Sequence, residues 1–234
     1  YWDCVIMQPI AYQSTNAPVF GIIPVTKGRG LINENCWCIN DNAAYGVDSS
    51  DIWVLTGGAF NEIGNQRVKN WFYDNLHPNY TNQVFVVNNT FKNQMEIYYP
   101  DLTSDGRCNK MLGYRYDLDC WNPPRDVWNA VAATESPVYD PITDTPNIAQ
   151  RGVVYCPSTT GTNYLVQKDI GNGFFNGNPD PKIDAYFRRD NINFGEPYSN
   201  KIQVHRVLPE VYGSGTFTIL VGGAESVGQT PEFK

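Results

Sequence analysis

The chain has 234 residues, 24 Asp and Glu against 17 Lys and Arg, a formal net charge of −7, and only 18% charged residues, fewer than the roughly 25% of ordinary soluble domains. Its densest basic cluster is Arg188-Arg189, which excludes the basic stripe of a nucleic-acid binder; the acidity serves solubility or keeps the surface off DNA and anionic membrane. Asn, Thr, Tyr, Val and Gly dominate and aromatics reach 14%, the composition of strands and turns, so the class is all-β, in one large domain or two smaller ones.

In chain order, Tyr1–Ile6 reads as a strand already under way. No initiator Met precedes it and no basic, then apolar, leader heads it, so the chain is expected to be a segment of a longer polypeptide. Further strands are expected at Val19–Val25, Cys36–Ile39, Ile52–Leu55, Gln83–Val87, Met95–Tyr99, Met111–Tyr116, Gly152–Tyr155 and Asn163–Gln167. Turn signals fall at Asn40-Asp41-Asn42, Thr56-Gly57-Gly58, Ser104-Asp105-Gly106 and Gly171-Asn172-Gly173. One segment breaks the pattern: Val68, Trp71, Phe72 and Leu76 follow helical spacing within Asn65–Leu76, and His77-Pro78 ends it. Beyond Gly177–Pro181 new alternations begin at Ile183, Ala185 and Phe187, at Ile202, Val204 and Leu208, and at Phe217, Ile219 and Val221. The expected organisation is therefore propeller-like blades over 1–178 and an antiparallel sheet or sandwich over 179–234. No apolar stretch approaches the roughly 20 residues of a membrane helix.

A weak internal repeat supports the blades. Segments beginning at Cys36, Glu96 and Gly152 each run aromatic strand, polar turn, second strand, Asp-bearing turn and aromatic, with pairs Asp48/Trp53, Asp117/Trp121 and Asp169/Phe174. The Asp is expected to satisfy backbone N–H groups, and Trp53, Trp121 and Phe174 to fill equivalent core positions in successive sheets. The spacing of the anchors Trp37, Tyr98 and Tyr155 is somewhat long for a blade of about 40–50 residues.

Chemistry-bearing residues are sparse. His77 precedes Pro, His205 lies in an alternating run, and Ser214 sits in Gly213-Ser214-Gly215, without the spacing of a nucleophile elbow. Among the carboxylates, Glu96 stands out because it opens the run Ile97-Tyr98-Tyr99; it is either half of a glycosidase pair or, on the plainer reading, an edge charge or a blade-to-blade hydrogen bond. Asp101–Gly106 opens like a calcium loop, but Leu112 stands at the twelfth position, so a polar turn is the reading. Cys4, Cys36, Cys38, Cys108, Cys120 and Cys156 are expected to be reduced, buried thiols that hold no metal. The sequons Asn79-Tyr80-Thr81 and Asn88-Asn89-Thr90 matter only in a secreted protein. No enzymatic, cofactor or metal residue is assigned.

The run from Asn61 to Trp121 resembles the nozzle, or tail tubular B, family of short-tailed bacteriophages. The shared succession is a glycine turn (Gly64), a short helix ending Trp71-Phe72-Tyr73-Asp74-Asn75-Leu76, the element Glu96-Ile97-Tyr98-Tyr99-Pro100, then Cys108-Asn109-Lys110 and a hairpin from Tyr114 to Trp121. Weaker likeness extends over most of Gly30–Gly223. Asn122-Pro123-Pro124-Arg125-Asp126-Val127 departs from the family's Arg-Asp-Leu-Pro stretch, leaving the register of that crossover open. The resemblance implies a non-enzymatic virion tail protein. Its propeller would stand in a six-fold homo-oligomer beside adaptor and fibre proteins, around a channel that DNA traverses without specific binding. A carbohydrate-binding propeller or adhesin, with exposed Tyr and Trp as a sugar platform, is the alternative.

Overall fold

The computed structural model describes residues 4–9, 20–26, 29–140, 145–157 and 165–168, with 218, 220, 222–223 and 232–233. The chain divides into two units, Tyr1–Ile183 and Asp184–Lys234. The expected boundary at Gly177–Pro181, the three alternations beyond it, and Asp169, Phe174, His205 and Ser214 all lie outside the described residues. The described strands pair antiparallel throughout, as an all-β chain requires.

The first unit opens with a hairpin of β1 (Cys4–Pro9) and β2 (Phe20–Thr26). A four-stranded meander follows: β3 (Trp37–Asn40), β4 (Ala43–Val47), β5 (Ile52–Thr56) and β6 (Ala59–Glu62). Its turns have the chemistry their geometry demands. Gly57 and Gly58 both sit at positive φ, 60° and 82°, the pair of left-handed residues a tight hairpin needs. Asp48 accepts from the backbone N–H groups of Ser50 and Asp51, each at 2.6 Å, which is the role expected of the turn aspartates. β4 is the second strand that the repeat places between the Asn40–Asn42 turn and Asp48, although Ala43, Ala44 and Gly46 carry little strand propensity. Gly46 is required for another reason: a Cβ there would lie 2.2 Å from the Trp53 ring.

Helix α1 (Gln66–Asn75) comes next, where the periodicity places it. The Asn65 side chain accepts from the Val68 N–H at its start, and Leu76 turns extended at its end. Pro78 then begins a 3-10 turn, Pro78–Gln83. The larger sheet contains β7 (Phe85–Asn89), β8 (Gln94–Tyr99), β9 (Cys108–Arg115), β10 (Cys120–Trp121), β11 (Arg125–Asp140), β12 (Thr145–Pro157) and β13 (Val166–Gln167). Its order is β13-β12-β11-β9-β8-β7, with β10 beside β9. The crossover register left open by the sequence is set by Arg125 opposite Met111 and Asp126 opposite Lys110. In the second unit β14 (Gly222–Gly223) pairs with β15 (Glu232–Phe233).

Every residue of β8 is buried, so the strand faces two cores. On one side Met95, Ile97 and Tyr99 meet Phe72 and Leu76 of α1 and Tyr45, Val47 and Ile52 of the meander. On the other, Phe85, Val87 and Tyr98 meet Val127, Ala130, Val153 and Tyr155. The large sheet therefore rolls until its β11–β12 hairpin covers the back of β7 and β8.

This arrangement corrects the expected equivalence of Trp53 and Trp121. Trp53 pairs through Gly46 with Trp37 and shares its face, whereas Trp121 lies opposite Tyr114 and Met95, on the reverse face from Tyr98. A difference of one residue in spacing flips a side chain across a sheet, and alignment of the aromatics alone did not constrain that parity. Trp121 is half-buried, packed on Tyr114 at 5.0 Å with its indole N–H donating to the Ile63 carbonyl. Asp117 also differs from Asp48, since it is taken up by the Arg115 guanidinium at 2.8 and 2.6 Å.

Candidate functional site

Glu96 is fully buried, on the β8 face that looks into the second core. Its position follows from the strand: opposite it stands Gly113, where a Cβ would lie 2.6 Å from the Gln94 amide. The missing side chain makes room for a polar cluster. Glu96 Oε1 accepts from Asn89 Nδ2 at 2.8 Å, Gln94 Nε2 at 3.0 Å and Lys168 Nζ at 2.5 Å, and Oε2 accepts from the Tyr98 hydroxyl at 2.8 Å. The network continues outward, with Gln94 Oε1 accepting from Asn122 and Asn89 Oδ1 from the Lys92 N–H. Lys168 also lies 5.9 Å from the Tyr98 ring, which itself stacks on Phe85 at 4.8 Å.

Four donors, one of them the Lys168 ammonium, compensate the carboxyl group for leaving water. Oε1 carries three of these bonds and Oε2 one. The arrangement suits a structural lock, neither an edge charge nor a bond between blades, for Glu96 is fully buried and Lys168, beyond β13, is fastened to β8 across one rolled sheet. Nothing at Glu96 in the sequence points to Lys168, 72 residues away.

The other candidates resolve into local structure. His77 caps the 3-10 turn, its Nδ1 accepting from the Asn79 N–H at 3.2 Å, with its ring against Tyr80. Asp101 forms a polar turn, accepting from the Thr103 N–H, the Thr103 hydroxyl and Asn109 at 2.6–2.8 Å. Burial alone would raise its carboxyl, but these bonds outweigh it and hold the group below its usual range. Asn79 is exposed, while Asn88 donates to the Ile39 carbonyl at 2.9 Å. Cys36, Cys38, Cys108, Cys120 and Cys156 are free. Burial pushes the Cys36 and Cys38 thiols up to about 12; Cys120 is exposed, against the expectation of burial.

A second charged cluster, missed in the sequence, ties α1 to the meander. Arg29 bonds Asp51 at 3.0 Å and Glu62 at 2.6 Å, and Lys69 of α1 reaches both carboxylates at 3.4 Å. The Arg29 hydrogen bond, foremost, pulls the Glu62 carboxyl down to about 2.

The feature with most bearing on function is the β1–β2 hairpin. Its register sets Val5 opposite Pro24, Met7 opposite Ile22 and Pro9 opposite Phe20, so these six apolar side chains share one face. Val5, Met7, Phe20 and Ile22 are 47–65% exposed, and both prolines are exposed. Neither strand carries a charged residue, although charge is a usual guard of exposed strands. Pro9 and Pro24 each lack an N–H, so the ribbon offers an apolar face more than a pairing edge.

Among the described residues, no helix is long and apolar enough to cross a membrane. Comparison with protein-family models and with curated proteins found no match.

Proposed function

We propose that the protein is a structural component of a phage tail, a subunit of an oligomeric tube of the nozzle kind through which genomic DNA leaves the virion. The observation that carries this reading is the uncharged, solvent-facing apolar face of the β1–β2 hairpin. A two-stranded ribbon is marginal by itself in water, and burying such a face yields roughly 25 cal/mol per Å². Other subunits would supply the cover, first further copies of the chain in a six-fold ring and then adaptor and fibre proteins.

The β3–β6 meander has the make-up of one propeller blade, four antiparallel strands in sequence order. In this reading it is a blade of a propeller. The surplus of acidic residues, 24 against 17, would repel the DNA phosphates and let the duplex pass without adhering.

Electron microscopy of the purified protein over a range of concentrations tests the proposal. Ring-shaped particles are expected, with more Asp and Glu than Lys and Arg on the channel wall. Particles that stay monomeric at every concentration, or a channel lined mainly by Lys and Arg, would overturn it.

A further inference from the structure

A groove of about 410 Å³ opens in the first unit between the start of β3, the start of β7 and residues 131–133 of β11. Trp37 stands in one wall, 46% exposed although it belongs to a strand. Beside it are Glu34 and Asn35, and across from them Asn82 and Gln83, all four exposed. Phe85, Val86 and Val131 to Ala133 also line it, and among the described residues the lining contains one carboxylate and no cationic side chain.

The two polar walls are fastened to each other. Asn33 Nδ2 donates to the carbonyls of Thr81 and Val84 at 3.0 and 2.8 Å, the Cys36 thiol to Val84 at 3.3 Å, and the Val86 N–H to the Asn35 carbonyl at 2.8 Å. The Cys108 thiol holds the Gln83 carbonyl at 3.2 Å. The groups at the mouth are thus carried on a preorganised frame, which lowers the cost of binding.

From this geometry we infer that the groove binds a neutral saccharide. A half-exposed indole offers a flat apolar surface with a polar edge, suited to the C–H face of a sugar ring. Each carboxamide presents a donor and an acceptor together, the pairing that a hydroxyl, itself donor and acceptor, requires. Glu34, with no cation among the described lining residues, disfavours phosphate, sulfate and carboxylate ligands, and the polar mouth disfavours a wholly apolar one. The volume falls at the lower end of the roughly 300–1,000 Å³ of small-molecule sites, room for a mono- or disaccharide. The inference is independent of tube assembly, because every group named belongs to a single chain.

Amide and indole NMR spectra of the whole chain, titrated with the neutral disaccharides maltose, cellobiose, lactose and chitobiose, read the site directly. At least one should shift the Trp37 indole N–H and the Asn82 and Gln83 amide signals, saturating with a Kd of about 1 mM or tighter. Trp37→Ala and Asn82→Ala change exposed residues; each should weaken binding by about tenfold or more while leaving distant signals in place. The inference is overturned if none of the four shifts those signals, if the shifts persist in Trp37→Ala, or if a sulfated disaccharide binds as well as its neutral parent.

Discussion

Glu96 is tolerated in the core because both its oxygens accept hydrogen bonds and the Lys168 ammonium stands against it. Such a pair is strongly destabilising when one member is lost, and much less so when both go together. Glu96→Gln should therefore lower the unfolding free energy by about 3 kcal/mol or more, since the Lys168 ammonium is then left 11% exposed without its carboxylate. Glu96→Gln combined with Lys168→Met should recover most of that loss. Urea unfolding of the two single variants and the double reads the coupling, and additive losses would show that the pair does not act as a lock. At this scale the sequence was informative about which carboxylate mattered. Its four partners were hidden because they come from β8 itself, the end of β7 and a segment beyond β13, and only the rolled sheet brings them together.

Among the elements, α1 was the most legible, for the signals that make it are local: an Asn cap, apolar residues on one face and a proline after its end. β11 was the least. It runs from Arg125 to Asp140 through Asn129 at positive φ, a register shift between Ala130 and Ala132 and another before Val138. Each irregularity breaks the alternation by which a strand is recognised in sequence. The attachment of α1 to the meander carries a pH dependence. Because Glu62 titrates near 2 when folded and near 4.5 ordinarily, its contribution to stability is present above about 4.5 and is lost as pH falls toward about 2. Carboxyl NMR titration should place the Glu62 midpoint far below that of an ordinary glutamate, and Arg29→Gln should bring it back up. A Glu62 midpoint near 4.5 in the unaltered protein would contradict the ion-pair cluster.

On the scale of the whole molecule, two cores share the strand β8, and the hairpin before them shows water an apolar face. Two strands, Tyr1–Ile6 and Val19–Val25, could be read in the sequence, though not their pairing or the alternation through Met7 and Pro9. That this face is uncovered could not, because burial is decided by what the rest of the chain leaves open. The blade reading fares similarly: the sequence carried the succession of strands, while the parity of Trp53 and Trp121 emerged only with the register. Sedimentation velocity on the unaltered chain and on Met7→Asp with Ile22→Asp tests assembly through the hairpin. Both positions are more than half exposed, so the double variant should keep its fold by circular dichroism. The unaltered protein should sediment as a concentration-dependent oligomer and the variant as a monomer. An unaltered chain that is monomeric throughout, or a variant that assembles equally well, would contradict it.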